Sequence, residues 1–240
     1  MQTSLHTRHE IAAASVHTAV LPVGAIEQHG RHLPVGTDTM LAEAFAAQLA
    51  TRLDAYLLPA LAITSSIEHR RAKGTVYLRA DTLALVVRDI AESLQQSGFT
   101  RLVLANCHGG NWILKPTIRQ LNRDLPGFRT VLLQPEIPSA DYAAIFKHQA
   151  GDVHGGEFET SLMLHLYPDA VRQIPVPDAA DQKFPPQAML DYYDTTELTP
   201  EGHWGWPEDA TAAKGQKAMA LIVETSLKIL QQIEDIAPGS

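Results

Sequence analysis

The amino-acid sequence predicts an α/β fold with one mainly parallel sheet flanked by helices. Short, continuous apolar runs such as residues 18–24 are typical of strands that a sheet buries on both faces. Segments with helical spacing separate these runs, and this alternation is typical of parallel sheets. The chain has 240 residues without an internal repeat or a clear linker, so we predict a single domain over residues 1–240.

The first four predicted elements follow from local patterns. Residues 8–14 have helical spacing, and the apolar run at 18–24 predicts the first strand. Residues 39–53 are rich in Ala, Leu and Glu and predict a helix. The apolar residues at 56–60 predict the second strand.

The strongest helix pattern in the sequence covers residues 81–96. Asp81 or Thr82 is a suitable N-cap for this helix, and Gly98 is a suitable stop. The segment 175–207 is rich in Pro and Asp and lacks periodicity, so we expect irregular structure there. The other predicted elements are, in order, a strand at 101–105, a helix at 112–123, a strand at 130–134, a helix at 158–166 and a helix at 210–236.

The composition excludes several classes of function. A net charge of −8 without a basic stripe argues against binding to nucleic acid or to an anionic membrane. No apolar run approaches the roughly 18 residues of a membrane span, and the first residues lack a signal-peptide pattern. The one cysteine, Cys107, fits a reducing compartment. We therefore expect a soluble, cytoplasmic, globular protein.

The first polar cluster, Glu27, His29 and Asp38, follows the first predicted strand. Residues two apart in an extended segment point to the same side, so Glu27 and His29 can face one ion together. Asp38 follows after a turn, and its two oxygens can bridge two cations. The alternative is a surface loop with solvated carboxylates and a histidine that caps a carbonyl group.

The second polar cluster, with His108 at its centre, follows the strand at 101–105. Gly109 and Gly110 let the backbone approach a ligand, and the nearby asparagines can hold the loop by side-chain hydrogen bonds. Cys107 is interpreted as a small residue in a tight turn. The alternative for His108 is a loop histidine whose hydrogen bonds are satisfied by its neighbours.

The third polar cluster contains His154, Glu157 and Glu159 and precedes a predicted helix. A helix N-terminus favours carboxylates even where no metal binds, and this is the alternative for both glutamates. His154 is a candidate general acid or base. His, Asp and Glu ligands suit Zn, Mn or Fe equally well. Because ligands bind at the carboxyl ends of parallel strands, the first two clusters are placed for a shared site.

The three clusters closely resemble motifs of the creatininase (creatinine amidohydrolase) family. The resemblance runs from about residue 19 to residue 166. It is carried by the segment 24–30 with Asp38, by the segment 106–111, and by the segment 154–161.

The resemblance implies an α/β fold, two divalent metal ions per chain (Zn, Mn or Fe), hydrolysis of an amide C–N bond, and a homo-oligomer, often a hexamer. By position it assigns the metal ligands and the proton-transfer residue. Asp38 matches the bridging ligand, Glu159 matches an acidic position taken as the fifth ligand, and His154 matches the proton-transfer residue. The complete implied ligand set is Glu27, His29, Asp38, His108 and Glu159.

The sequence departs from true creatininases after His108. Those enzymes carry Tyr and then Glu at the positions of Gly109 and Gly110, so creatinine is not the expected substrate. The absence of an acid at position 110 strengthens the assignment of Glu159 as a ligand. We expect the substrate to be a cyclic amide or a formamide of a small molecule.

The expected mechanism is attack by a hydroxide shared between two metal ions, with His154 protonating the departing nitrogen. Weaker predictions of substrate contact fall on polar loop residues, namely His32, Glu68, His69 and Glu157. Three alternatives remain open at this point. They are a metal-dependent hydrolase of a ring ketone or lactone of the inosose type, a peptide-trimming member of the family, and a member without catalytic activity.

Overall fold

The computed structural model describes residues 1–148, 150–176 and 184–236. Its five strands form one parallel sheet in the order β1-β3-β2-β4-β5. The predicted fold class, a mainly parallel sheet flanked by helices, is confirmed. The strands are β1 (Gln2–Thr3), β2 (Thr18–Val23), β3 (Tyr56–Leu57), β4 (Arg101–Asn106) and β5 (Arg129–Leu133).

The two long central strands set the position of the site. β2 pairs with β4 in register from Thr18 opposite Arg101 to Val23 opposite Asn106. Both strands therefore end at the same level, and the loops that follow them leave the sheet side by side. The first and second polar clusters lie in these two loops.

The helices cover both faces of the sheet, and a 3₁₀ turn, Ile67–His69, lies between β3 and α3. The first four helices are α1 (Arg8–Ala13), α2 (Thr37–Arg52), α3 (Ala80–Gln96) and α4 (Leu114–Asp124). The next four are α5 (Ser139–Ile145), α6 (Glu157–Leu166), α7 (Thr195–Leu198) and α8 (Ala212–Asp235). None of the helices in the described ranges combines the length and apolar character needed to cross a bilayer.

Successive residues of the central strands point into two separate apolar layers, as the two-residue period of a strand requires. Val20 belongs to the layer beneath α2, α6 and α8, whereas its neighbour Leu21 belongs to the layer beneath α3 and α4. In β4, Val103 and Leu104 divide between the layers in the same way. This double burial explains why the strands are continuous apolar runs in the sequence.

Helices α6 and α8 approach each other closely through a glycine. A Cβ atom added at Gly215 would lie 1.9 Å from the carbonyl oxygen of Ser161, so no larger residue fits without moving a helix. This contact fixes α6, whose first turn carries the acidic residues of the third cluster.

Several element boundaries differ from the sequence prediction. Helix α2 begins at Thr37, so Asp38 lies in its first turn and not in the preceding loop. The N-cap of α3 is Arg79, and the predicted caps Asp81 and Thr82 lie within the helix. Gly98 follows the end of α3 with a φ of 94°, in agreement with its predicted role as a stop.

Two short elements, β1 and α5, were not predicted. Part of the segment 175–207, which was predicted to be irregular, lies outside the residues that the structure describes. β1 has two residues and forms by pairing with β3, so its local sequence carries little signal. Helix α5 was also missed. Residues 184–207 include the short helix α7 within the segment predicted as irregular, while residues 177–183 of that segment lie outside the described residues.

Candidate metal centre

The first cluster is buried at the carboxyl end of β2. A Cβ atom at Gly24 would lie 2.4 Å from the Cα atom of Thr39, so the end of β2 meets the start of α2 through a glycine. This close approach brings Asp38, in the first turn of α2, towards the loop that carries Glu27. Both carboxylates are almost completely buried, each with 1% of its surface exposed. Burial of two carboxylates is costly unless cations or hydrogen bonds compensate.

The ring of His29 is oriented by its own loop. Its Nδ1 donates a hydrogen bond to the backbone carbonyl oxygen of Glu27, 3.1 Å away. The opposite nitrogen, Nε2, lies 3.1 Å from Asp38 Oδ1 and 3.8 Å from Glu159 Oε2. A backbone acceptor on one nitrogen is the usual way in which proteins direct the other nitrogen at a metal.

His108 lies between the same carboxylates on the other side. Its Nδ1 is 3.1 Å from Asp38 Oδ2, and its Nε2 is 3.3 Å from Glu27 Oε2 and 2.6 Å from the carbonyl oxygen of Ser65. The loop is held as the sequence predicted, because Asn106 Nδ2 donates to the His108 carbonyl oxygen at 2.8 Å. Asp38 therefore presents one oxygen to His29 and the other to His108.

The third cluster completes the site from the loop before α6. His154 Nε2 donates a hydrogen bond to the backbone carbonyl oxygen of Gln28 at 2.6 Å, and its Nδ1 lies 3.5 Å from Glu27 Oε1. Glu159 Oε2 accepts a hydrogen bond from the backbone N–H of Gly155 at 2.6 Å. The structure thus brings all three polar clusters together.

The donor set fits divalent cations. Glu27 Oε2 and Asp38 Oδ2 are buried oxygens to which no residue in the described ranges donates a hydrogen bond. Such buried acceptors require a partner. Three overlapping groups offer ligand atoms within 4.8 Å of one another: Glu27 with His29 and His154, Glu27 with Glu68 and His108, and His29 with Asp38 and Glu159.

In the absence of metal, the cluster retains protons. Burial raises the pKa of Glu27 to about 8 and that of Glu159 to about 7. Burial lowers the pKa of His29, but the Asp38 carboxylate outweighs burial and raises this pKa to about 10. Glu27 and Asp38 likewise outweigh burial at His108, whose pKa is also about 10. These protons occupy positions that cations can take.

Two neighbouring histidines are neutral. Burial, assisted by the charges of nearby histidines, lowers the pKa of His154 well below its ordinary value and that of His69 to about 3. The His154 ring lies between the other two, with its centroid 4.2 Å from that of His29 and 4.4 Å from that of His69. A neutral His154 has a free Nδ1 lone pair available to accept a proton.

The cluster opens into a cavity of about 700 Å³. Glu27, His108, His154 and Glu159 line its inner end. Partly exposed residues form much of the remaining wall, namely Ile67, Arg70, Trp112, Tyr192 and Tyr193. A volume of this size accommodates ligands larger than a single small ring.

The four weaker predictions of substrate contact separate into two pairs. Glu68 and His69 line the cavity, whereas His32 and Glu157 do not. His32 Nε2 is buried 3.0 Å from the carbonyl oxygen of Gly155, and the fully buried Glu157 pairs with Lys214 of α8. Both side chains thus pack within the third cluster, and substrate contact by His32 and Glu157 stays a prediction.

Sequence reasoning missed Gln28, which connects the histidines around the site. Its Nε2 donates to His69 Nδ1 at 2.9 Å and to the carbonyl oxygen of Gly202 at 2.8 Å. Its backbone carbonyl oxygen accepts the hydrogen bond of His154. The only signal in the sequence is its position between two predicted ligands.

Comparison with known proteins gives one family across most of the chain. The family model described as creatinine amidohydrolase matches residues 4–230. The chain is 32% identical over 222 residues to the mycofactocin precursor peptide peptidase of Mycobacterium tuberculosis, covering 87% of this chain and 82% of that relative. It is 31% identical over 231 residues to the creatinine amidohydrolase of Pseudomonas putida, covering 88% of each protein.

Solved structures agree with this result. A manganese form of creatininase has a TM-score of 0.75 and 26% identity, covering 98% of this chain and 99% of that one. A zinc–zinc form of a creatininase mutant has a TM-score of 0.74 and 26% identity, covering 98% of both chains. The chain is therefore similar to proteins that contain manganese or zinc, and its buried ligand groups suit the same ions.

Proposed function

Because this chain belongs to the creatininase family, whose members hydrolyse amide bonds, we propose that it cleaves an amide C–N bond with two divalent metal ions. Glu27, Asp38 and His108 would hold one ion, and His29, Asp38 and Glu159 would hold the other. Asp38 would be the shared ligand. The ions would be Zn, Mn or Fe, since carboxylate and imidazole ligands suit all three.

One observation carries this proposal. The two oxygens of Asp38 face different imidazoles, with 3.1 Å separating Oδ1 from His29 Nε2 and 3.1 Å separating Oδ2 from His108 Nδ1. Asp38 Oδ2 and Glu27 Oε2 are buried without a hydrogen bond from the described residues. A carboxylate flanked in this way by two imidazoles is suited to binding two cations.

When bound, the two ions would supply the Lewis acidity that activates water and polarises the substrate carbonyl group. The role proposed for His154 is the movement of a proton. Its Nε2–H is held by the Gln28 carbonyl oxygen, so Nδ1 accepts the proton released when water adds to the carbonyl carbon. Nδ1 then delivers this proton to the nitrogen as the C–N bond breaks, because an unprotonated amide nitrogen is a poor leaving group.

The substrate proposed from the sequence is a cyclic amide or formamide of a small molecule. The cavity favours a second candidate, an amide bond near the end of a short peptide. Its volume of about 700 Å³ exceeds the needs of a single ring, and Trp112, Tyr192 and Tyr193 offer aromatic surfaces to neighbouring groups. The peptide peptidase and the creatinine amidohydrolase are named for different substrates, but they are almost equally similar to this chain, with 32% and 31% identity. Sequence identity therefore does not decide between the two candidates.

Metal analysis followed by a substrate screen tests the proposed function. Purified protein is expected to contain about two divalent ions per chain and to lose activity after chelation. The screen should include cyclic amides, formamides, short peptides and a ring lactone. Hydrolysis of the lactone alone would contradict the C–N assignment. A chain without bound metal, and without activity after Mn, Zn or Fe is added, would contradict the proposal as a whole.

The pH dependence of metal affinity is the first prediction. Glu27, Glu159, His29 and His108 all have raised pKa values, so the folded metal-free chain retains protons that bound ions must displace. Metal affinity is therefore expected to rise with pH between about 6.5 and about 9, as measured by competition with a chelating indicator. An affinity independent of pH in this window would contradict the protonated cluster.

The same pKa shifts determine the stability of the metal-free chain. The unfolded chain loses these protons at lower pH than the folded chain, so the folded state loses stability as pH rises from about 6.5 to about 9. The melting temperature of chelator-treated protein is expected to fall by several degrees over this window. Metal-loaded protein should lose less, because its ligands have already released their protons.

The proposed assembly is a homo-oligomer, with six chains as the number implied by the family resemblance. Light scattering coupled to size-exclusion chromatography tests this assignment directly. A single-chain mass at micromolar concentration would contradict it.

A further inference from the structure

Glu68 occupies the space that a side chain at position 110 would need. A Cβ atom built on Gly110 would lie 2.0 Å from Glu68 Oε1 and 2.4 Å from His108 Nε2. Gly110 is not among the glycines with positive φ, so its backbone conformation does not demand glycine. The space beside Gly110 is instead taken by the His108 ring and by the Glu68 carboxylate, which is the movable end of a long side chain.

The Glu68 carboxylate points into the metal cluster. Its Oε1 lies 3.8 Å from His108 Nε2, and its side chain is only 13% exposed. Glu68, Glu27 and His108 together offer ligand atoms within 4.8 Å of one another. The neighbouring Glu27 Oε2 is a buried oxygen that receives no hydrogen bond within the described part of the chain. A carboxylate at this position, beside a second carboxyl group and an imidazole, adds an oxygen ligand of the kind that divalent cations bind.

Hydrogen bonds hold the segment that precedes Glu68 in place. The backbone N–H of Ser65 donates to Asn111 Oδ1 at 3.1 Å, and Thr64 Oγ1 donates to the Gly24 carbonyl oxygen at 2.5 Å. The carbonyl oxygen of Ser65 lies 2.6 Å from His108 Nε2. The segment that leads into the 3₁₀ turn Ile67–His69 is thus fastened to both loops of the site. These contacts place the backbone before Glu68 beside both loops of the site.

We propose that Glu68 is a metal ligand that joins Glu27 and His108 in the space left open by Gly110. This proposal rests on the proposed two-metal function and extends its ligand set. Glu68 lines the cavity together with its neighbours Ile67 and His69. An ion bound to Glu68 would therefore lie next to the part of the wall that faces the substrate. The substrate contact predicted for Glu68 from the sequence stays a prediction beside this role.

The test measures metal content and metal affinity of the full-length protein, using Mn²⁺ and Zn²⁺ as probes. Glu68→Gln is expected to weaken one of the two ions by about tenfold or more and to leave the other unchanged. The matched control is Glu136→Gln, which alters an exposed carboxylate outside the cluster and should behave like the wild type. Two ions bound to Glu68→Gln with wild-type affinity would overturn the assignment. Absence of metal from the wild type would instead overturn the two-metal function itself.

An exchange of the acid between positions 68 and 110 provides a second, independent readout. Gly110→Glu alone is expected to lower both metal content and melting temperature, because its Cβ atom would meet the Glu68 carboxylate and the His108 ring. In the double variant Glu68→Ala/Gly110→Glu, the carboxylate of residue 110 should recover part of the affinity that Glu68→Ala loses. A double variant that binds metal no more tightly than Glu68→Ala would contradict a carboxylate position shared by residues 68 and 110. Circular dichroism separates these effects from loss of the fold.

Discussion

Replacement of Asp38 by Ala is expected to reduce bound metal below two ions per chain and to lower kcat/KM by about a thousandfold or more. The reason is that one carboxylate serves both halves of the cluster, with its oxygens directed at His29 and His108. Its removal also takes away negative charge that contributes to the raised pKa values of both imidazoles. Metal analysis, steady-state kinetics and circular dichroism of the same preparation test this expectation.

The matched control for Asp38→Ala is Cys107→Ser in the adjacent loop. Cys107 packs at the edge of an apolar layer, and burial raises the pKa of its thiol well above the ordinary value, which makes it a poor nucleophile. This variant is expected to keep both ions and nearly all activity. Full metal occupancy and full turnover in Asp38→Ala would exclude a shared ligand at this position. Asp38→Asn separates loss of charge from loss of volume.

Replacement of His154 by Asn is expected to lower kcat by about a hundredfold to ten-thousandfold while both ions remain bound. His154 is held by the Gln28 carbonyl oxygen through Nε2, which leaves Nδ1 to exchange protons with the substrate. Loss of a proton-transfer group reduces the rate of bond cleavage more than it reduces metal binding. Single-turnover kinetics and metal analysis distinguish the two effects.

The control for this variant is His17→Asn, which changes an exposed histidine before β2. It should alter neither kcat nor metal content. His154 also belongs to a possible ligand group with Glu27 and His29, so metal content decides between two roles. Loss of an ion from His154→Asn would contradict proton transfer as its main role and would make it a ligand. Unchanged kcat would exclude both roles.

The sequence was sufficient to predict how the first two clusters meet. Continuous apolar runs indicated strands buried on both faces, and parallel strands bring their carboxyl ends to one edge of a sheet. The pairing of Val23 with Asn106 places the loops with Glu27 and His108 at that edge. The order of elements along the chain did not indicate that β4 pairs with β2. β3 lies between these strands in the sequence, but in the sheet it pairs with the other side of β2.

Other features depend on contacts between distant segments, which local patterns do not encode. Glu157 and His32 looked like polar loop residues, but Glu157 is paired with Lys214 of α8, and His32 lies against Gly155. Glu68 lies in an aperiodic segment, and the space beside Gly110 that it fills exists only in three dimensions. The resemblance to the creatininase family therefore indicated a set of candidate metal ligands, but it did not indicate the ligand role that we propose for Glu68.

The separation between the two apolar layers and the cavity has a consequence for how the protein can change over evolutionary time. Among the described residues, no member of either layer lines the cavity. Much of its outer wall comes from residues 67–70 and 187–195, which lie in short turns between larger elements. Mutations in these turns can accumulate at little cost to the sheet and its helices. Substrate preference should consequently change faster than the sheet and its helices. Directed evolution aimed at a new amide should therefore concentrate its libraries on residues 187–195 and on Ile67 and Arg70, with Glu68 and His69 unchanged.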